Sequence, residues 1–177
     1  MRSDFSLRTA IVNCVLLAAA LLPGCASYNG ASLVPGTSSA SDIEALMGPP
    51  AEKIAAPDGD SVWFYPRSPA GFQTYAIRIS PAGVMRSLEQ RLTEENLKYL
   101  VAGVTTRKET REFFGPPWRT LRFERQAREV WDYRMYNAVR LEYILSVQFS
   151  ADGLVREVLF MRDMRYEKDG NNQGGFN

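Results

Sequence analysis

The chain has 177 residues, of which 45% are hydrophobic and 23% charged, and its formal net charge is +1 at pH 7. This balance favours a packed globular fold and argues against nucleic-acid binding, which usually requires a strongly basic surface. The sequence contains no histidine. That excludes the Ser-His-Asp and Cys-His catalytic arrangements and removes the commonest metal ligand. We therefore expect no catalytic residue, no metal site and no cofactor.

The N-terminus has the features of a secretory signal. Arg2 and Arg8 lie at the start of an apolar run over residues 10–22, which is shorter than the roughly 20 residues that a membrane-spanning helix needs. The run ends in Leu22-Pro23-Gly24-Cys25, which resembles a bacterial lipobox. We predict that residues 1–24 are a lipoprotein signal peptide. The alternative is an ordinary secretory signal with a chance cysteine near its end.

Cys25 is the predicted lipidation site. By the same resemblance, its sulfur receives a diacylglycerol, and Ala26 stands where an aspartate would retain the lipoprotein in the inner membrane. The predicted location is the outer membrane, with the acyl anchor in the lipid and the chain facing the periplasm. Residues 25–38 are rich in Ala, Ser, Gly and Pro and predict a flexible tether. Residues 164–177 predict a disordered tail.

Two stretches carry the same features in the same order. Residues 39–50 read SASDIEALMGPP and residues 106–117 read TRKETREFFGPP. Each is followed by a Val-Trp-x-Tyr sequence and then by a strand that ends in a glycine turn, at an offset of 67 to 70 residues. A repeat this regular predicts one module in two copies. We place the first module at residues 39–92 and the second at 93–163.

Each module is predicted to begin with a short helix. Ser39 with Asp42, and Thr106 with Glu109, have the spacing of a capping box. Both helices are predicted to end at the glycine of Gly-Pro-Pro, because glycine favours a left-handed C-cap and proline prevents continuation. The second module is predicted to have an additional helix in front, from Thr93 to Gly103, for which the first module has no counterpart.

The segment after each Gly-Pro-Pro is predicted to form strands. Residues 129–135 alternate, with Trp131, Tyr133 and Met135 on one face, and residues 143–149 continue the alternation. Residues 62–65 are the corresponding strand of the first module. Asp152-Gly153 predicts a hairpin turn into the last strand. The predicted fold class is α+β, with a helix followed by an antiparallel meander in each module. We expect Trp63 and Trp131 to be core residues that pack against the helices.

The ordered set of Gly-Val-Thr-Thr at 103–106, a short helix, Phe-Gly-Pro-Pro, Val-Trp-x-Tyr and an Asp-Gly hairpin resembles the SmpA/OmlA (BamE-like) family of outer-membrane lipoproteins. The second module matches over residues 93–163 and the first over 36–91. The resemblance implies short helices on a three-stranded antiparallel sheet in each module. The tandem arrangement is similar to that of β-lactamase inhibitor protein, in which two modules form one concave surface.

The same resemblance implies a function without catalysis. The family includes the small lipoprotein of the β-barrel assembly machinery. We expect a periplasmic protein-binding scaffold that acts in outer-membrane protein assembly or in envelope integrity. Its partners are envelope proteins, with the β-barrel assembly machinery as a candidate, and not nucleic acid. The alternative is an inhibitor that sequesters a periplasmic or secreted enzyme on its concave face.

The candidate partner-binding residues lie where the two copies differ. Trp118 has Ala51 as its counterpart in the first module, so the shared scaffold does not require it. The other candidates are Arg119, Arg122, Arg125 and Tyr136, since arginine and aromatic side chains are common in interface hot spots. A solvated strand rim is the alternative for the arginines. Asp58 and Asp60 are interpreted as a hairpin turn rather than a calcium site.

Overall fold

The computed structural model of the protein describes residues 29–163, so the predicted signal peptide, Cys25 and the predicted tail lie outside it. The described residues form eight strands and two α-helices, with two short 3-10 helices. The elements are α1 Ala40–Met47, β1 Glu52–Ala55, β2 Ser61–Pro66, β3 Thr74–Ile79, β4 Met85–Gln90, a 3-10 helix Glu94–Tyr99, α2 Arg107–Phe114, β5 Arg119–Phe123, a 3-10 helix Glu124–Gln126, β6 Arg128–Tyr136, β7 Glu142–Phe149 and β8 Val155–Arg162.

The strands form two separate antiparallel sheets, with the orders β1-β2-β3-β4 and β5-β6-β7-β8. The predicted fold, with three-stranded sheets in a β-lactamase-inhibitor-protein-like arrangement, is therefore wrong. Each sheet has a fourth strand, β1 or β5, directly after Gly-Pro-Pro. These edge strands have only four and five residues and no buried side chain. They lack the strong apolar alternation from which the central strands were predicted.

The core of each module lies between its helix and one face of its sheet, which we call the inner face. Trp63 and Ile77 pack with α1 in the first core, and Trp131 and Val147 pack with α2 in the second. Both indoles are buried, as predicted. Each indole N–H also bonds to the side chain two residues earlier, at 3.0 Å in the first module and 2.7 Å in the second.

Both predicted capping boxes are confirmed. The Ser39 N–H donates to Asp42 Oδ2 at 2.8 Å, and the Thr106 N–H donates to Glu109 Oε2 at 2.7 Å. In return, each hydroxyl accepts from the amide three residues later. The hydroxyl of Ser39 lowers the pKa of the Asp42 carboxyl, and the amide of Thr106 lowers that of Glu109. The charged carboxylates therefore stabilise the first turn of each helix.

We expect these caps to make the fold less stable in acid. Asp42 and Glu109 have folded pKa values below their ordinary values of 3.8 and 4.5. Their contribution is present above the ordinary values and is lost as the pH falls through the folded ones. Urea unfolding of the wild-type protein should show a falling midpoint between about pH 5 and pH 3. Glu109→Gln should flatten that fall, and an unchanged slope in this variant would contradict the assignment.

The segment before α2 differs from its prediction. It forms a 3-10 helix, and Thr93 makes no side-chain cap at its start. Leu97 and Leu100 pack in the second core as expected, but Val101 is exposed. A turn follows, in which the Gly103 N–H donates to a β8 carbonyl. The predicted helix thus begins after Thr93, but it is a 3-10 helix and ends at Tyr99 rather than at Gly103.

The end of the predicted tether belongs to the first module. Leu33 packs against the first core, and the Gly36 N–H donates to the Met85 carbonyl at 2.8 Å. The Gly103 N–H donates to the Val155 carbonyl at the same distance in the second module. The repeat therefore extends upstream of the capping box in both copies.

The second helix lies between the two sheets. Phe114 packs on Tyr133 at the inner face of the second sheet. On its other side, α2 meets the opposite, outer face of the first sheet, where Arg111 Nε bonds to Glu52 at 2.7 Å. Phe64 on that outer face is 0% exposed, because Gly115 lies directly against its ring. The layers therefore follow the order helix, sheet, helix, sheet.

The outer face of the second sheet receives no helix within residues 29–163. When the two sheets are compared strand by strand, three residues of the second take the positions of three residues of the first. Asp132 corresponds to Phe64, Ser146 to Ala76 and Arg119 to Glu52. These three side chains bond to one another. Arg119 Nε donates to Asp132 at 2.9 Å, and the Ser146 hydroxyl donates to Asp132 at 2.6 Å. A polar network thus replaces the apolar contact that the first sheet makes with α2.

Candidate functional site

A loop of the first module reaches the outer face of the second sheet. This loop, residues 67–73, connects β2 to β3. Its Pro69 carbonyl accepts a hydrogen bond from Arg134, and the Arg134 guanidinium lies 4.0 Å from the centre of the Phe72 ring. Arg134 is only 2% exposed and pairs with the buried carboxylate of Asp163 at 3.4 Å. We call this contact between the modules the clasp.

Two predicted binding residues belong to the clasp, and a third lies at its border. Tyr136 packs on Phe72 with ring centroids 4.8 Å apart. The Trp118 ring lies 5.5 Å from the Arg134 guanidinium and 5.1 Å from that of Arg119. Trp118 and Tyr136 are half-buried, and Arg119 is held by Asp132. The structure thus places Trp118, Arg119 and Tyr136 together, at a junction that joins the two modules.

The other two predicted residues lie at the far end of β5. Arg122 is on β5 with its side chain on the face opposite to Arg119, and Arg125 is in the 3-10 turn that leads to β6. Both are exposed, and neither forms an ion pair within residues 29–163. Phe123 between them is 46% exposed. We call residues 122–128 the arginine hairpin.

The corresponding hairpin of the first module has the opposite charge and is neutralised. Its turn contains Asp58 and Asp60. Arg78 donates to both carboxylates, and Arg86 Nε donates to Asp60 at 3.0 Å. Among the described residues no group of three or more His, Cys, Asp or Glu side chains has a metal-binding arrangement. The arginine hairpin therefore presents charged side chains that form no ion pair within residues 29–163, whereas both aspartates of the first-module hairpin are paired with arginines.

An apolar groove runs beside α2 in the second module. It has a volume of about 370 Å³ and is lined by Tyr99, Val104, Phe113 and Phe114, with Glu109 and Glu112 at its rim. The rings of Tyr99 and Phe113 lie 4.5 Å apart, and Val104 is 67% exposed. The groove is open to solvent along the 3-10 segment that precedes α2.

Exposed apolar side chains are concentrated in the second module. Within residues 29–163, only Val34 is a large exposed hydrophobic residue of the first module. The others all follow residue 93: Tyr99, Val101, Val104, Phe123, Val139, Leu141 and Met161. Of these, Tyr99 and Val104 lie together in the groove beside α2, and contiguous exposed apolar surface marks interaction sites more often than isolated residues do. The second module is therefore the better candidate for a partner-binding surface.

Sequence reasoning did not identify Arg134 and Asp163. Arg134 lies on a strand at a position that faces away from its own core, where a charged side chain predicts exposure. It is buried by a loop from the other module, and no local pattern indicates that contact. Two tyrosines have shifted pKa values for a purely structural reason. Burial raises the pKa of Tyr65 to about 12 and also raises that of Tyr133. Both tyrosines are core residues and indicate no chemistry.

Comparison with known proteins adds little. No family model matches the chain, and no curated protein matches it. Among solved structures, it is similar to a DUF4309 family protein (YjgB) from Bacillus subtilis subsp. subtilis str. 168, with 18% sequence identity, covering 75% of this chain and 83% of that chain. The TM-score is 0.28, which is too low to support a conclusion about fold or function. No helix within residues 29–163 is long and apolar enough to cross a membrane.

Proposed function

We propose that the protein is an outer-membrane lipoprotein that faces the periplasm and binds other envelope proteins through its second module. Cys25 supplies the acyl anchor in this proposal. The first module joins the anchor to the binding module, and the clasp holds the two modules in one orientation. The protein acts as a scaffold and not as an enzyme.

The observation that carries the proposal is the uneven distribution of exposed apolar side chains. Equivalent positions in two copies of one module have the same structural task, so a difference between them indicates a task that only one copy performs. Phe113 and its counterpart Leu46 are both partly buried against their own cores, but the exposed Val104 in the groove beside Phe113 has the polar Thr37 as its counterpart in the first module. A monomeric protein rarely keeps such a surface unless a partner covers it.

The class of partner is drawn from the resemblance to SmpA/OmlA lipoproteins. It points to outer-membrane protein assembly, with components of the β-barrel assembly machinery as candidates. The four-stranded sheets of this chain depart from that family's three-stranded sheet, so the role in assembly rests on the lipobox-like sequence and the ordered motifs. A soluble periplasmic or secreted enzyme is the competing partner.

Capture of partners from detergent-solubilised envelopes tests the proposal. The full chain should retain membrane-bound assembly proteins, and Cys25→Ser should leave the membrane fraction. We expect Val101→Lys to reduce capture about fivefold or more, because a charge in an apolar interface commonly costs at least 1 kcal/mol. Quantitative mass spectrometry of the captured proteins measures the change.

The repeat provides a matched control. Val34 is the counterpart of Val101, with exposed fractions of 54% and 47%. Their N–H groups bond to Ser38 and Thr105 at the same distance of 2.9 Å. Val34→Lys should leave capture unchanged. Equal losses in both variants, or capture of a single soluble enzyme by the wild-type chain, would reject the scaffold proposal.

A further inference from the structure

Strand β5 is an uncovered edge of the second sheet. It pairs with β6 on one side only, and four of its five residues are exposed. On the free side of an antiparallel edge, alternate residues present unpaired N–H and C=O groups. Within residues 29–163, no backbone hydrogen bond reaches that side of β5.

The other three sheet edges are only partly covered. Residues 36–38 bond to the start of β4, and residues 103–105 bond to the start of β8. Strand β1 faces α2, with Glu52 bonded to Arg111. Beyond these contacts β4 and β8 also have free edge residues, but both strands carry a glutamate besides their arginines, whereas the charged residues of β5 are all arginines.

The charges along this edge select what can pair with it. Arg122 and Arg125 have no carboxylate partner within the described chain, and Arg119 already pairs with Asp132. Like charges on facing strands are destabilising, so these arginines oppose pairing with the β5 strand of a second copy. The same arginines attract an acidic strand.

Phe123 adds an apolar contact to the charged edge. Its ring is 46% exposed and lies between Arg122 and Arg125 in the sequence, on the same face of the sheet as the half-buried Leu121. A strand that adds to β5 can place one apolar side chain against this pair and its acidic side chains toward the arginines. Alternation of side chains along a strand makes both contacts available at once.

We propose that β5 binds an acidic, extended segment of a partner protein, which adds to the second sheet as a fifth strand. Backbone hydrogen bonds supply affinity in this mode of recognition, and side-chain contacts supply selectivity. The inference rests on the proposed protein-binding function and names the chemistry of the partner segment.

The test uses the full chain and a fluorescein-labelled peptide that alternates glutamate with valine, followed by fluorescence polarisation. We expect binding that weakens with salt, because the contacts include exposed charges. Arg122→Glu should weaken it about tenfold, since charge reversal replaces attraction with repulsion at an exposed ion pair. Arg156→Glu, the same change on edge strand β8, should have little effect.

A second peptide separates strand addition from charge attraction alone. It has the same sequence with alternate backbone nitrogens methylated, which removes the donors of the added strand but keeps every charge. Methylation at the nitrogens that face β5 should abolish binding. Equal binding of the methylated peptide, equal loss in Arg156→Glu, or no binding of the acidic peptide would each overturn the inference.

The envelope experiment distinguishes this inference from the function on which it rests. If Arg122→Glu still captures the wild-type set of envelope proteins, strand addition at β5 is rejected and the scaffold function stands. If the wild-type chain captures no envelope protein, the scaffold function is rejected whatever the peptides do. Preferential binding of the hairpin to anionic lipid vesicles over the acidic peptide would also reject strand addition.

Discussion

Replacing Arg134 with methionine is expected to lower the free energy of unfolding by about 3–5 kcal/mol, the usual cost of removing one partner of a buried ion pair. Arg134 is buried between the modules, where it meets Asp163, the Pro69 carbonyl and the Phe72 ring. Methionine can fill much of the space but leaves the Asp163 carboxylate buried without this cation. Urea denaturation of Arg134→Met measures the loss.

The loss of stability in Arg134→Met should be accompanied by faster local opening of the loop at residues 67–73. A mutation that only weakens the core would not open this loop selectively. Residues 67–73 should exchange their amide hydrogens faster, because Arg134 holds the loop against the second sheet. Arg134→Met combined with Asp163→Asn should recover part of the stability, since the penalty comes from the unpaired charge. A loss below 1 kcal/mol with unchanged exchange in the loop would mean that the clasp does not hold the modules together.

Gly115→Ala is expected to destabilise the fold strongly, because Gly115 is buried at the junction of α2 with the first sheet. Gly115 has φ +77° and ψ −164°, a conformation that costs other residues about 1–3 kcal/mol. A Cβ at this position would lie 2.4 Å from Phe64 Cδ1, in a contact that requires one of the two sheets to move. Overpacking of this kind typically costs a further 1–3 kcal/mol or so. Thermal or urea unfolding measures the total.

The first module again supplies the control. Gly48 has φ +80° and ψ −175°, but a Cβ added there meets nothing within 4 Å. Gly48→Ala should therefore show the backbone strain without the clash. Gly115→Ala combined with Phe64→Ala should be less destabilised than the sum of the single changes, because the contact that clashes has been removed. Equal effects of Gly48→Ala and Gly115→Ala would show that α2 does not press on the first sheet.

The parts of the fold that depend on neighbouring residues were predictable from the sequence. The capping boxes, the glycine stops and the buried tryptophans each follow from residues within a few positions of one another. They also occur twice, which separates a structural pattern from chance. The central strands were found for the same reason, because apolar alternation is a local signal.

The edge strands and the contacts between the modules were not predictable in this way. Strands β1 and β5 are edge strands, each paired with one neighbour in its own sheet. Neither buries a side chain, so neither shows the apolar alternation that predicts a strand. The predicted binding set was chosen from differences between the copies. That rule brought together Tyr136, which packs on Phe72 of the first module, Trp118, which contacts Arg134 in the clasp, and Arg122, which is exposed. A difference between copies therefore marks either a partner contact or an internal junction, and only the tertiary structure separates the two.

The polar outer face of the second sheet cannot replace the surface that receives α2 on the first sheet. A third copy of the second module, placed after the existing two, would bring its own Arg111 against Arg119 and its Gly115 against Asp132. Two like charges and a buried carboxylate would then replace the ion pair and the aromatic contact that join the present modules. The order of the modules is fixed for the same reason, since exchanging them removes Glu52 and Phe64 from the junction. The two sheets are therefore not interchangeable as docking surfaces for α2, and three side chains of the second sheet encode the difference.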